Sequence, residues 1–172
     1  MTTARRPPTD ARLDAAARRL GRALVKQGWQ MASAESCTGG LVGHAITQVP
    51  RSSDHYLGGI ISYSNAVKDD LLGVPADLID QVGAVSAEVA EAMAAGVLER
   101  FPVARVAIAV TGIAGPDGGS DEKPVGLTYV AAAVRDGPAV VERHTWPYDR
   151  AGNKRASALA ALELAASVTR EA

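Results

Sequence analysis

Apolar residues recur along this chain at two periods, one typical of helices and one typical of strands. The first helical stripe has four members, spaced alternately four and three residues apart: Leu13, Ala17, Leu20 and Leu24. Thr9 can cap this helix near Asp10, and Gly28 can end it. Similar patterns, written here with their capping and terminating residues, predict further helices at 39–49, 65–73, 75–83, 86–102 and 150–168.

Short apolar runs between turn residues predict the strands. They lie at 29–34, 57–63, 105–110, 125–134 and 139–146. The third run is apolar almost throughout, which is typical of a strand buried on both faces of a sheet. The last two runs are separated only by a turn at 135–138, so they predict a β-hairpin.

The order of these elements predicts the fold class. Helices and strands alternate in the first two thirds of the chain, and the hairpin comes late. This order favours an α/β fold, a three-layer α/β/α sandwich with a mixed sheet. We expect residues 1–172 to form a single domain, with residues 1–8 as a loose N-terminal arm.

Composition narrows the class of protein. Apolar residues make up 47% of the 172 residues and charged residues 22%, as in ordinary folded domains. A net charge of -1 and only 4% aromatic residues do not favour binding to nucleic acid. No apolar stretch predicts a signal peptide or a membrane span. The single cysteine excludes an internal disulfide and a cysteine-based zinc cluster, and a reducing cytoplasm is the expected compartment.

The segment 34–40 (AESCTGG) places Ser36 at the predicted bend between a strand and a helix. Its small residues permit close approach of a ligand to the backbone. Ser36 is either a helix cap or a nucleophile beside backbone N–H groups that can bind an oxyanion. Position alone favours the cap. Cys37 is interpreted as a small buried filler rather than a nucleophile.

Two further segments carry candidate chemistry. The loop from Gly112 to Gly126 contains five glycines whose N–H groups can surround a phosphate or carboxylate, or it is simply a mobile surface loop. Its spacing matches neither a P-loop nor a dinucleotide fingerprint. Tyr63 and Lys68 lie near the end of the second strand. Lys68 would be a general base only if its pKa were lowered, and residue chemistry alone favours a solvated lysine.

The remaining polar candidates give weaker signals. His44, His55 and His144 show no metal-ligand spacing, so no metal site is predicted. A Ser36–His55–Asp54 triad is a weak alternative. Arg150 can bind a phosphate through two donors, or it belongs to a solvated basic face with Lys154.

Five segments taken together resemble one family. They are residues 34–40, then Tyr63, Ser64 and Asn65 with Lys68, then residues 83–86, 111–119 and 123–126. In this order they are similar to the CinA C-terminal domain family, whose characterised enzymes are nicotinamide-nucleotide amidohydrolases (NMN deamidases). The resemblance runs from about Leu20 to Ala166.

The resemblance implies an activity and a set of site residues. The reaction would be hydrolysis of the carboxamide of nicotinamide mononucleotide (NMN) to nicotinic acid mononucleotide and ammonia, in pyridine-nucleotide salvage. Ser36 would be the nucleophile and Lys68 its general base, with Tyr63 close by. Neither a cofactor nor a metal is implied. The implied substrate-binding residues are Thr38, Gly39, Gly40, Asn65, Thr111, Gly112, Gly115, Lys123 and Arg150.

This chain differs from the family pattern in two respects, and two other functions are alternatives to the amidohydrolase. The family commonly has Gly-Asp-Arg before its last helix, whereas this chain has Tyr148, Asp149 and Arg150. Many relatives carry an additional N-terminal domain, so a stand-alone form is expected here. Alanine-rich helices and the resemblance favour a homo-oligomer. The alternatives are a nucleotide-binding module without catalysis and a serine-dependent hydrolase of another amide.

Overall fold

The computed structural model describes residues 6–172 and contains one five-stranded sheet in the order β2-β1-β3-β4-β5. The strands are β1 Met31–Glu35, β2 Tyr56–Ile61, β3 Val106–Gly112, β4 Leu127–Val134 and β5 Ala139–Thr145. β1 pairs in parallel with β2 and with β3, whereas β3–β4 and β4–β5 are antiparallel. The predicted mixed sheet and late hairpin are therefore confirmed.

Helices cover both faces of this sheet. They are α1 Asp10–Gln27, α2 Leu41–Thr47, α3 Asn65–Leu72, α4 Ala76–Val82, α5 Ala87–Arg100 and α6 Arg150–Glu171. The core on one face is built with α1, α2 and α6, and the core on the other with α3, α4 and α5. This arrangement confirms the three-layer sandwich. Within residues 6–172, no helix has the length and apolar character needed to cross a membrane.

Strand β3 shows how the sequence pattern produces these two cores. Val106, Ile108 and Val110 face the core that contains α1 and α6, while Ala107 and Ala109 face the core that contains α5. All five side chains are fully buried. An apolar run without polar alternation is what a strand needs when both of its faces are covered.

Among the element boundaries that differ from prediction, those at the starts of α3 and α2 lie next to the polar segments. The N-cap of α3 is Ser64 rather than Asn65, and its Oγ accepts a hydrogen bond from Val67 N–H at 3.3 Å. Helix α2 begins at Leu41 rather than at residue 39 because Gly39 and Gly40 adopt positive φ angles of 61° and 100°. Both glycines therefore belong to a turn.

The expected N-terminal arm falls largely on residues 1–5, which lie outside the described residues. Pro8 is buried, and Pro7 lies against the first turn of α6, where a Cβ placed on Gly152 would be 3.0 Å from Pro7 Cβ. Residues 7 and 8 thus pack against the fold.

Candidate active site

The polar segments meet at the carboxyl ends of the parallel strands. Ser36 directly follows β1, and its N–H donates to Val110 O of β3 at 3.0 Å. Ser62 directly follows β2, and its N–H donates to Glu35 O at 2.8 Å. Ligands of open α/β sheets gather at this edge, so the placement of Ser36 favours a binding or catalytic site.

Lys68 of α3 reaches Ser36 across this edge. Its Nζ lies 3.1 Å from Ser36 Oγ, 2.9 Å from Ser62 O and 3.3 Å from Tyr63 O. The lysine is only 1% exposed, and Ser36 is 8% exposed. The interpretation of Lys68 as a solvated surface lysine is therefore wrong.

The environment of Lys68 favours its neutral form. Burial lowers the pKa of the Lys68 amine from its ordinary value of 10.5. None of the ion pairs within residues 6–172 includes Lys68, so no carboxylate offsets the loss of hydration. A lowered pKa raises the neutral fraction of the amine at a given pH, and the neutral amine is the form that accepts a proton.

Glu35 holds the turn that carries Ser36. Its buried carboxylate accepts hydrogen bonds from Gly40 N–H at 3.0 Å, Val42 N–H at 3.0 Å and Gly43 N–H at 2.8 Å. A negative charge at this position also suits the positive end of the α2 dipole. The carboxylate therefore fixes the path from β1 through the turn into α2.

This arrangement changes which backbone groups are available for an oxyanion. Thr38, Gly39 and Gly40 follow Ser36 and are among the substrate-binding residues that the resemblance implied. In the structure Gly39 N–H donates to Ser36 O at 3.0 Å, and Gly40 N–H donates to Glu35. Within the part of the chain that the structure describes, the N–H groups of Cys37 and Thr38 have no acceptor in another residue. The potential donors are thus Cys37 and Thr38.

Cys37 packs beside the site. A Cβ placed on Gly112 would lie 3.1 Å from Cys37 Sγ, so Gly112 leaves the space that the thiol occupies. The thiol is buried, and its burial raises the pKa of Cys37 to about 12. A thiolate is scarce under these conditions, which supports the interpretation of Cys37 as a filler.

The alternative histidine triad does not assemble. His55 lies at the opposite end of β1, where its carbonyl accepts a hydrogen bond from Met31 N–H. Five strand residues separate that end from Ser36, a distance of roughly 16 Å. The His55 ring instead packs against Gly21 of α1, and Asp54 pairs with Arg51. Within residues 6–172, no three His, Cys, Asp or Glu side chains are grouped so that they could hold a metal ion.

Arg150 links two of the segments found in the sequence. Its Nη1 donates to Gly115 O at 2.7 Å, and its Nη2 donates to Tyr63 Oη at 3.3 Å. Tyr63 is 60% exposed, and its backbone carbonyl, not its side chain, contacts Lys68. Arg150 therefore joins the β2–α3 junction to the glycine-rich loop.

Of the other predicted binding residues, Thr38 lies in the turn of Ser36, whereas Thr111, Lys123 and Asn65 have other surroundings. Thr38 is buried in the Ser36 turn, and its Oγ1 has no hydrogen-bond partner among residues 6–172. Thr111 Oγ1 donates to Ala84 O at 2.8 Å, and Lys123 Nζ donates to Val82 O at the end of α4. Asn65 is exposed in the first turn of α3. Lys123 thus serves a helix terminus rather than standing free beside Ser36.

Two residues of this region were not among the predicted site residues. Glu35 precedes Ser36 and lies six residues before the first residue of α2, and its spacing in the sequence gave no signal that its carboxylate reaches the start of that helix. Lys154 lies one turn after Arg150 on α6, and a Cβ placed on Gly39 would be 3.6 Å from its Nζ. Its spacing from Arg150 was visible in the sequence, but its position beside Gly39 was not.

A cavity adjoins these two basic residues. Its volume is about 760 Å³, and its lining includes Ala114, Pro116, Val125, Tyr148, Arg150 and Lys154. The walls are mostly apolar, and the two cations lie on the α6 side. Such a mixture suits a ring-containing ligand that carries an anionic group.

Similar proteins place these observations in a family. Residues 13–169 match the CinA C-terminal domain. A CinA-like protein of Desulfotalea psychrophila is 55% identical over 118 residues, which are 69% of this chain and 28% of that protein. The chain spans only about a quarter to a third of several such relatives. The nicotinamide-nucleotide amidohydrolase PncC of Enterobacter agglomerans is 44% identical over 85% of this chain and 88% of its own length.

Solved structures agree with the sequence matches. The competence/damage inducible protein CihA of Agrobacterium tumefaciens has a TM-score of 0.84 and 38% identity over 93% of this chain and 96% of its own. A CinA superfamily protein of Klebsiella pneumoniae 700603 has a TM-score of 0.88 and 29% identity over 93% of this chain and 99% of its own. By the match of residues 13–169, supported by these relatives, the chain belongs to the CinA C-terminal domain family.

Proposed function

We propose that this protein is an amidohydrolase that converts NMN to nicotinic acid mononucleotide and ammonia, with Ser36 as nucleophile and Lys68 as general base. The observation that carries the proposal is the 3.1 Å contact between Lys68 Nζ and Ser36 Oγ in a buried site where, within residues 6–172, Lys68 forms no ion pair. The 44% identity to a protein named nicotinamide-nucleotide amidohydrolase supports the choice of substrate.

The partners of Lys68 favour the required direction of proton transfer. Carbonyl oxygens only accept hydrogen bonds, so the two hydrogens of a neutral amine are directed to Ser62 O and Tyr63 O. The lone pair is then left for the hydroxyl hydrogen of Ser36. A buried lysine arranged in this way is difficult to explain in a module that only binds nucleotides.

The reaction proceeds in two steps of acyl transfer. Ser36 Oγ attacks the carboxamide carbon while its proton passes to Lys68 Nζ, and the carbonyl oxygen becomes an oxyanion. The carbon–nitrogen bond then breaks, and Lys68 returns the proton to the nitrogen, which leaves as ammonia. In the second step water loses a proton to Lys68 as its oxygen attacks the ester carbon. The bond from that carbon to Ser36 Oγ then breaks, Lys68 returns the proton to Oγ, and the acid product ionises to the carboxylate.

The oxyanion requires donors that are positioned before the reaction begins. We assign this role to the N–H groups of Cys37 and Thr38, since those of Gly39 and Gly40 are engaged within the protein. Glu35 keeps the turn in place but does not face the reacting atoms. We also propose that the protein acts in pyridine-nucleotide salvage in the cytoplasm and that it assembles as a homo-oligomer.

The test is ammonia release from NMN by the purified protein in the presence of a chelator. Ser36→Ala and Lys68→Met are each expected to lower kcat by about 10³-fold or more. The matched controls are Ser167→Ala and Lys26→Met, which remove the same functional groups from a half-buried position of α6 and an exposed position of α1. Near-normal ammonia release by Ser36→Ala would contradict the mechanism. Wild-type protein that binds NMN without releasing ammonia would favour the binding module instead.

A further inference from the structure

The two cations among the implied substrate-binding residues, Lys123 and Arg150, both donate hydrogen bonds within the protein. Lys123 Nζ donates to Val82 O at the carboxyl end of α4. Arg150 donates to Gly115 O and to Tyr63 Oη, so its guanidinium connects two loops. Arg150 keeps three of its five N–H donors and can share the anionic group of a nucleotide, but a cation without such contacts would be a stronger partner near Ser36.

Lys154 meets that requirement. It is half-buried on α6, and none of the ion pairs within residues 6–172 includes it. The carboxylate of Asp149, near the same cavity, accepts a hydrogen bond from Gly152 N–H at 2.8 Å as the cap of α6. Lys154 thus places at the site a positive charge that forms no ion pair within residues 6–172.

The position of Lys154 relates it to Ser36. Gly39 has no side chain, and a Cβ there would lie 3.6 Å from Lys154 Nζ, so the ammonium lies directly against the Ser36 turn. Ser36 and Gly39 are the ends of one tight turn, closed by the hydrogen bond from Gly39 N–H to Ser36 O. The span of this turn and the distance from Gly39 to the ammonium together place Lys154 Nζ on the order of 10 Å from Ser36 Oγ.

The cavity continues from Lys154 along α6. Pro116, Val125 and Tyr148 supply apolar and aromatic surface, and Lys154 supplies the charge. A ligand with a carboxamide at Ser36 and an anion at Lys154 must contain a spacer about as long as a pyridine ring with a pentose. We infer that Lys154 binds the phosphate of a pyridine mononucleotide and makes the site select mononucleotides over their ribosides. This inference rests on the proposed function for the identity of the substrate.

The kinetic test compares two substrates that differ only in the phosphate. For Lys154→Met, kcat/KM with NMN is expected to fall by about 10- to 100-fold, mainly through KM, because a charge-assisted contact is lost. Activity with nicotinamide riboside is expected to stay within about twofold of wild type. Lys26→Met removes an exposed lysine of α1 and controls for the change in net charge. Equal losses on both substrates would place Lys154 at the reacting carboxamide and overturn the inference, as would unchanged kinetics with NMN.

A binding test separates this inference from the proposed function. Inorganic phosphate is titrated into Ser36→Ala protein and into the Ser36→Ala, Lys154→Met double variant, and binding is followed by calorimetry. Phosphate binding by the first protein and a loss of about tenfold or more in the second would support Lys154 as the phosphate partner, whether or not the wild type releases ammonia. Equal binding by both, or binding by neither, would overturn the inference. Absence of ammonia release with intact phosphate binding would reject only the amidohydrolase proposal.

Discussion

Glu35→Gln tests how strongly the carboxylate beside Ser36 holds the active-site turn. The substitution keeps the size of the side chain but replaces one carboxylate oxygen with an amide group that donates rather than accepts. In the structure Oε2 accepts from Gly40 and Val42, and Oε1 accepts from Gly43. At best the glutamine oxygen keeps the first two hydrogen bonds, and its NH₂ group then faces Gly43 N–H.

The expected loss of stability follows from these contacts. A hydrogen bond to a charged group contributes about 1.5–3 kcal/mol, and a charge near a helix N-terminus adds about 0.3–1 kcal/mol. Glu35→Gln is therefore expected to lower the free energy of unfolding by about 2–4 kcal/mol. Because the turn carries Ser36 and its neighbouring N–H groups, kcat is expected to fall by on the order of 10²-fold even where the protein remains folded.

Urea denaturation followed by circular dichroism measures the first effect, and ammonia release at low denaturant measures the second. The midpoint should decrease while the m-value stays constant. Glu88→Gln is the matched control because Glu88 is an exposed acid in the first turn of α5. Its loss should change the free energy of unfolding by no more than about 1 kcal/mol. Wild-type stability and activity in Glu35→Gln would refute the role assigned to this carboxylate.

Three further predictions concern the groups around Ser36. Because folded Lys68 has a pKa below its ordinary 10.5, the unfolded chain binds more protons between those two values. The free energy of unfolding of the wild type, relative to that of Lys68→Met, should therefore rise with pH in that window by at most about 1.4 kcal/mol per pH unit. Denaturation measurements from pH 6 to 11 that show a constant difference between the two proteins would contradict this prediction. Because the pKa of Cys37 is about 12, iodoacetamide at pH 8 should alkylate its thiol only after the protein unfolds. The activity of Cys37→Ala should stay within a few-fold of wild type. Fast alkylation of the folded protein would disprove the buried position of the thiol. Tyr63→Phe removes the acceptor for Arg150 and should raise KM up to about tenfold with little change in kcat, whereas a hundredfold loss of kcat would assign the hydroxyl to proton transfer.

Local patterns in the sequence were sufficient for the fold class. The apolar run that became β3 predicted a strand covered on both faces, since residues that alternate between two dry cores must all be apolar. The turn at 135–138 predicted the β4–β5 hairpin. Gly28 and Gly73 predicted the ends of two helices, and in the structure both glycines cap those helices in the left-handed conformation. The same local patterns placed Ser36 at a strand-to-helix bend.

The chemistry around Ser36 was decided by tertiary structure. Ser36 and Lys68 lie 32 positions apart, and they meet because β2 pairs in parallel with β1 and delivers α3 to the same sheet edge. The residues around Lys68 in the sequence are those of a short solvated helix, so they carry no signal of its burial. Resemblance to a family, rather than residue chemistry, suggested its role.

What the sequence by itself determined was therefore the set of elements and the turn at Ser36, because propensity, periodicity and glycine conformation act between near neighbours. Only the tertiary structure decided the burial of Lys68 that lowers its pKa, the hydrogen bond from Gly40 N–H to Glu35 and the position of Lys154 beside Gly39. The physical reason is that burial, loss of hydration and the supply of hydrogen-bond partners come from segments distant in the chain. Those quantities exist only once the sheet has brought the segments together.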